Sequence, residues 1–403
     1  MLALLLFAVV PEDVDAQDAV APLAGPSTKR DIVIYAPPGQ YCAWPSVVRA
    51  ANNELLVFFT QTEEHLSPDG TILSVRSSDE GRSWLPADTV FSTPLDDRES
   101  GITLMRDGTI ITHLWSTCHT RSSYEALPAR SYESSVLERW SRHVETDAYR
   151  SHADKQGPWQ TVSRDRGRRW SVPVRGKDAV HGGIQLLDGT LLAASYRLDR
   201  GSLGVYASPG PDSAYRWIAT VLSPQPDSLV FGEPHILQLS SGRIIMMIRA
   251  TAIPYDDTSP RCFLWETYSD DGGRNWVPPF STRLWGFPPH LLQLSDGRVL
   301  CTYGYRRPPF GQRACTSADG ITWDPKDEII LREDAPNGDL GYPASVELRA
   351  GEILTVYYQP PVAPGTTQQM RPPDPTRTKP AILGTIWSVR ASSNAGAPKR
   401  ESR

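Results

Sequence analysis

The stretch Phe231–Ala250, FGEPHILQLSSGRIIMMIRA, holds two apolar runs on either side of Ser240-Ser241-Gly242, a pattern that predicts a tight β-hairpin. Glu233 lies eight residues before Ser241 and Arg249 eight after it. Residues equidistant from a hairpin turn sit side by side in an antiparallel pair, so this spacing predicts that the carboxylate and the guanidinium meet at the open end. Two readings stay open for that pair on this stretch alone: a salt bridge that closes the hairpin, or part of a site.

The same turn recurs along the chain. VRAANNELLVFF, LMRDGTIITHLW, QLLDGTLLAASY, QLSSGRIIMMIR, QLSDGRVLCTYG and ELRAGEILTVYY align on Asn53, Gly108, Gly189, Gly242, Gly297 and Gly351, at intervals of 55, 81, 53, 55 and 54 residues. A period near 54 made of short strands predicts an all-β fold, a six-bladed β-propeller of four-stranded antiparallel blades, because one small sheet cannot bury both faces until neighbours pack on it radially. A second motif, S-x-D-x-G-x-x-W, runs in phase at Ser77–Trp84, Ser163–Trp170 and Ser269–Trp276, with a copy one residue shorter at Ser317–Trp323. Its aspartate is expected to accept from the amides of its own turn, its glycine to take positive φ, and its tryptophan to pack beneath the hairpin. These residues are read as structural.

Those four turns carry the Asp-box pattern, and with six repeats the chain resembles the sialidase (neuraminidase) superfamily over roughly Asp31 to Arg390. The resemblance implies an exo-glycosidase that releases a terminal acidic sugar, sialic acid by resemblance. Such a reaction needs cations for the sugar carboxylate, a nucleophile and an acid for the leaving oxygen. Planar guanidinium groups suit the first, and a tyrosine activated by a neighbouring glutamate suits the second where the attacked carbon already bears a carboxylate. The segment Gly341-Tyr342-Pro343-Ala344-Ser345 resembles the family's nucleophile segment, and Glu233 with Arg249 matches its glutamate and second arginine. Its third arginine is matched by Arg306 or Arg307. Two positions depart from the pattern. Ala43 stands where the family has its first arginine, with Arg98 on the next repeat as a substitute, and His65 stands where it has its acid/base aspartate, with Glu63, Glu64 and Asp69 as alternatives.

The repeat register also predicts which residues converge. Positions about nine before each anchor are Trp44, Glu99, Val180, Glu233, Pro288 and Tyr342, with Ala43, Arg98, His181 and His290 close by, and in a propeller these strand ends line one mouth of the channel. The site expected from the sequence is therefore Tyr342, Glu233, His65 and Glu64 for chemistry, with Arg249, Arg306, Arg307, Arg98, Glu99, His181, His235 and His290 for the substrate. Two other classes stay open: a polysaccharide lyase or other carbohydrate-active enzyme using the histidines as base, and a glycan-binding propeller without catalysis.

A net charge of -5 and the absence of a basic stripe argue against nucleic acid as a partner. No cofactor is called for, no metal spacing appears among the five cysteines, and a monomer acting on a glycan or glycoconjugate is expected. Leu2–Val10 is an apolar run too short to span a bilayer, so residues 1–25 read as a signal peptide and leader lacking its basic n-region, which predicts a secreted or periplasmic protein. Residues 28–391 are assigned to the propeller, 392–403 to a disordered tail. The long interval places an insertion at 116–158, where Val136, Leu137, Trp140 and Val144 fall at helical spacing and predict a helical cap.

Overall fold

The computed structural model describes residues 28–127, 132–196, 201–256, 258–361 and 379–389; the predicted leader and tail lie outside these residues. The described chain is dominated by strands, in sheets that are antiparallel apart from one bridge. Leu229–Gln238, Ile244–Ala252, Phe263–Ser269 and Phe280–Trp285 make one four-stranded sheet, and three others have the same plan, opening at Ile184–Gln185, Pro289–Gln293 and Gly341–Arg349. The remaining strands form two further four-stranded sets, opening at Tyr41–Arg49 and Asp96–Leu104 and joined only by one parallel bridge between Gly70 and Asp96. The first strand of each set touches that of the next, and the Gly341–Arg349 strand returns to Tyr41–Arg49.

Local sequence explains the units. All six anchors, Asn53, Gly108, Gly189, Gly242, Gly297 and Gly351, have positive φ, the backbone state that lets each hairpin reverse so tightly. At the second motif, Asp79 Oδ1 accepts from the amides of Arg82 at 3.0 Å and Ser83 at 2.8 Å and from the Ser77 hydroxyl at 2.8 Å. Asp165, Asp271 and Asp319 repeat this arrangement. The core lies between neighbouring sheets. One cluster joins Val47, Leu55 and Val57 to Ala344, Leu354 and Val356, and so ties the last set to the first.

The two ends of the described chain meet in a single sheet. Lys29–Tyr35 pairs antiparallel with Ala381–Ser388, with Asp31 opposite Thr385. The insertion is helical where the spacing predicts it. Ser134–His143 buries Trp140, and Tyr124, Trp140, Val144 and Tyr149 pack on Leu95. Trp140 Nε1 donates to Glu63 at 3.0 Å, and Arg139 pairs with the same carboxylate, so the insertion is fastened to the loop that carries Glu64 and His65.

Candidate active site

Four of the six converging positions share an uncommon backbone state. Trp44, Glu99, Glu233 and Tyr342 have φ of 54°, 54°, 42° and 48°, and each lies where its strand slips register against the neighbouring strand. Positive φ costs a bulky residue of order 1–3 kcal/mol, and a bulge re-aims its side chain out of the sheet. The hairpin expectation needs correction here. Arg249 pairs with Gly232 rather than Glu233, because Glu233 is the bulged residue, and the two side chains still meet because the bulge swings the carboxylate across. Gly232 is needed in turn, since a Cβ there would come within 2.7 Å of the Tyr196 hydroxyl.

Arg249 Nη1 donates to Glu233 Oε1 at 2.7 Å and to Oε2 at 2.9 Å, and the Tyr342 hydroxyl donates to the same Oε1 at 2.8 Å. All three side chains are buried. Burial works to raise the Glu233 carboxyl, yet Arg249 holds it below the usual range. Burial, then Glu233 and Glu99, push the Tyr342 phenol well above its ordinary value, so it rests as the neutral phenol. The Tyr342 hydroxyl also lies 3.4 Å from Glu99 Oε1. Glu99 is pushed up to about 8 by burial and by Asp178 and Glu233, and Asp178 to about 7 by burial and Glu233. Asp178 has no place in the sequence reading. It is brought in because Gly101 lets the following segment pack directly on the Glu99 strand: a Cβ at Gly101 would stand 1.9 Å from the Ala179 carbonyl oxygen.

The arginines divide. The Arg306 guanidinium shares the Phe287 ring with that of Arg249, at 5.1 and 4.4 Å, and approaches the Tyr358 hydroxyl at 3.5 Å. Arg307 does not join them. It stacks on Trp285 at 3.7 Å and donates to the Thr258 carbonyl, because consecutive residues leaving a strand face opposite sides. Arg98 lies over the Trp44 ring at 4.6 Å and donates to Asp96 at 2.5 Å and to the His65 carbonyl. Asp96 also pairs with His119 of the insertion at 2.8 Å.

His65 and Glu64 belong to the mouth rather than the floor. Both line a cavity of about 520 Å³ with Tyr41, Leu127, Tyr132, Asp339 and Lys379, and Glu64 is ion-paired with Lys379 at 3.1 Å. Tyr41, which lines this cavity, belongs to a buried aromatic cluster with Trp44, Tyr342 and Tyr358, with ring centroids 5.9–6.5 Å apart. His181, His235 and His290 do not line that cavity. His181, 5.8 Å from the Tyr342 ring, together with His235 and the stacked His290, faces a second cavity of about 410 Å³. Burial drives His181 down to about 4 and His290 to about 3, so both are neutral. His235 Nδ1 accepts from the Leu291 amide at 2.7 Å and His290 Nδ1 from the Ser345 amide at 3.4 Å, which commits those lone pairs to holding strands together.

Tyr41, Asp96 and Asp339 were missed by the sequence reading although a signal exists, since each stands three residues before a bulged residue, namely Trp44, Glu99 and Tyr342. None of the five cysteines forms a disulfide with another, and four of them are buried. No group of side chains among the described residues is arranged to hold a metal ion, and no described helix is long and apolar enough to cross a membrane.

Residues 143–355 match the BNR repeat-like domain family, which is more than half of the chain. No curated protein sequence matches. Among solved structures, a protein of unknown function from Dyadobacter fermentans DSM 18053 superposes with a TM-score of 0.68 at 22% identity, over 90% of this chain and 99% of that one. The NanB sialidase from Streptococcus pneumoniae superposes at 0.57 and 11% identity, over 94% and 72%. The intramolecular trans-sialidase from Ruminococcus gnavus gives 0.55 and 11%, over 87% and 94%. At these identities the likeness is one of fold.

Proposed function

Since the chain belongs to the BNR repeat-like family within the sialidase superfamily, we propose that it is an exo-glycoside hydrolase, a six-bladed β-propeller with Asp-box turns that releases a terminal α-linked acidic sugar from glycans. The observation that carries this reading is the buried Tyr342–Glu233–Arg249 set, with the phenol 2.8 Å from the carboxylate that Arg249 holds ionised. A neutral phenol beside an ionised carboxylate is ready to lose its proton only as its oxygen attacks. Glu233 takes that proton while Tyr342 bonds to the anomeric carbon, and a second displacement by water then returns the sugar with its configuration retained. Arg249 and Arg306, on one side of the phenol, are the groups offered for the sugar carboxylate, and Arg98 on the Trp44 side stands in for the arginine absent at Ala43. Tyr41 and Tyr132, which line the cavity beside His65, give a sugar ring an apolar face to lie on.

A panel of fluorogenic α-glycosides, sialosides and uronides among them, tests the reading with the purified chain. Release from an acidic glycoside is expected, and none from any member, together with measurable glycan binding, would replace the enzyme with a binding propeller. The lyase reading draws on His65, His181, His235 and His290. His181 and His235 are buried and line the second cavity with His290, whereas His65 lines the cavity of about 520 Å³.

A further inference from the structure

We propose that Asp339, acting through the Tyr41 hydroxyl, fixes His65 with its hydrogen on Nδ1, so that Nε2 faces the cavity as the acid/base group for the leaving oxygen. The proposal rests on the glycosidase reading and adds the group that reading lacks. Tyr41 Oη lies 2.6 Å from His65 Nδ1 and 2.8 Å from Asp339 Oδ1, and Nδ1 is 3.5 Å from that same Oδ1.

Proton placement follows from counting donors. Burial works to raise the Asp339 carboxyl, but the nearby His65 ring and the Tyr41 hydroxyl outweigh it and hold the group below the usual carboxylate range. An ionised carboxylate only accepts, so the single Tyr41 hydrogen goes to Asp339. Two lone pairs would then face each other across 2.6 Å unless Nδ1 carries a hydrogen and donates it to Tyr41 Oη. Tyr41 cannot lose its hydrogen in exchange, because burial raises its phenol well above the ordinary value. In the neutral ring the free lone pair is therefore on Nε2.

The ring is also held in place. It stands edge-on to Trp44 at 5.4 Å and to Tyr41 at 5.5 Å, its backbone carbonyl accepts from Arg98, and its side chain is 44% exposed. The charged groups around it are Asp339, Arg98 and the Glu64–Lys379 pair. The Trp44 ring stands 5.4 Å from the His65 ring and 6.5 Å from the Tyr342 ring, so one indole links the imidazole to the nucleophile.

In the first half-reaction the protonated His65 gives its Nε2 hydrogen to the glycosidic oxygen as that C–O bond breaks, and the aglycone leaves as an alcohol. Tyr342 bonds to the anomeric carbon and its proton passes to Glu233. In the second, neutral Nε2 takes a proton from the attacking water, the bond to Tyr342 breaks, and Glu233 returns its proton to the phenolate. Asp339 and Tyr41 touch no reacting atom and are positioning residues.

Two measurements on the full chain test this. In ¹⁵N-labelled protein, with the His65 ring assigned by its loss in His65→Gln, the neutral ring should be the Nδ1–H tautomer and should change to Nε2–H in Asp339→Ala. An Nε2–H ring in the unmutated protein would overturn the proposal whether or not turnover is seen. In kinetics, Asp339→Ala should lose about 10²–10⁴-fold on an alkyl glycoside, whose leaving group needs a proton, and less than about tenfold on the umbelliferyl glycoside of the same sugar. Asp339→Asn, which keeps an acceptor, should recover part of the loss. Equal losses on both substrates would overturn the acid/base assignment while leaving the Tyr342 reading intact. No turnover by the unmutated protein on either would overturn both.

Discussion

Carboxylates occupy two parts of the repeat and, apart from Glu233, which Arg249 holds ionised, titrate in opposite directions. At the outer turns, hydrogen bonds from Ser83 and Ser77 pull Asp79 down to about 2, and hydrogen bonds from Asn275 pull Asp271 down to about 2. Around Tyr342, burial and like charge push Glu99 up to about 8 and Asp178 up to about 7. The first group is surrounded by amides and hydroxyls of its own turn, which favour the charged form; the second has few donors and other acids beside it. The feature that recurs from repeat to repeat is therefore local and holds the fold, whereas the one that occurs once is assembled from several repeats and is where chemistry is to be sought.

The sharpest test of that contrast is Tyr342→Phe. Turnover should fall by several powers of ten on the fluorogenic panel, while unfolding shifts by at most about 3 kcal/mol, the worth of one hydrogen bond to a charged group. Wild-type turnover in this variant would end the nucleophile assignment. Glu233→Gln should lose roughly 10²–10⁴-fold in kcat, because the phenol remains but its base is gone. Asp271→Ala, on the turn side, should lower the melting temperature and leave the kcat and KM of the folded protein unchanged; a loss of kcat in fully folded protein would break the comparison.

The smallest effect concerns proton linkage. Glu99 is raised from 4.5 to about 8 in the folded chain, so its protonated form favours folding. That contribution is fully present below about pH 4.5 and is lost as pH rises through about 8. Glu99→Gln cannot titrate, and its urea midpoint should therefore fall less between pH 5 and pH 8.5 than that of the unmutated protein. Identical slopes would show that Glu99 is not the group carrying the proton.

The six hairpins, the three S-x-D-x-G-x-x-W turns with their shorter fourth copy, and the Trp140 helix were legible in the sequence because each is set by groups within a few residues of one another. A turn amide reaches its own aspartate, and a positive φ selects glycine or asparagine at the anchor, whatever the rest of the chain does. Tyr342, Glu233 and Arg249 were legible through the family pattern and the repeat register together. Neither source could choose Arg306 over Arg307, since two adjacent residues carry the same chemistry and only packing decides which one faces Phe287. Nor could they supply the bulges, which break the strict alternation that a strand pattern assumes. The partnership of His65, Tyr41 and Asp339 is the extreme case. Tyr41 and Asp339 stand 298 residues apart and meet only because the last sheet packs against the first, a contact whose free energy comes from apolar residues such as Val47 and Ala344 that take no part in the site.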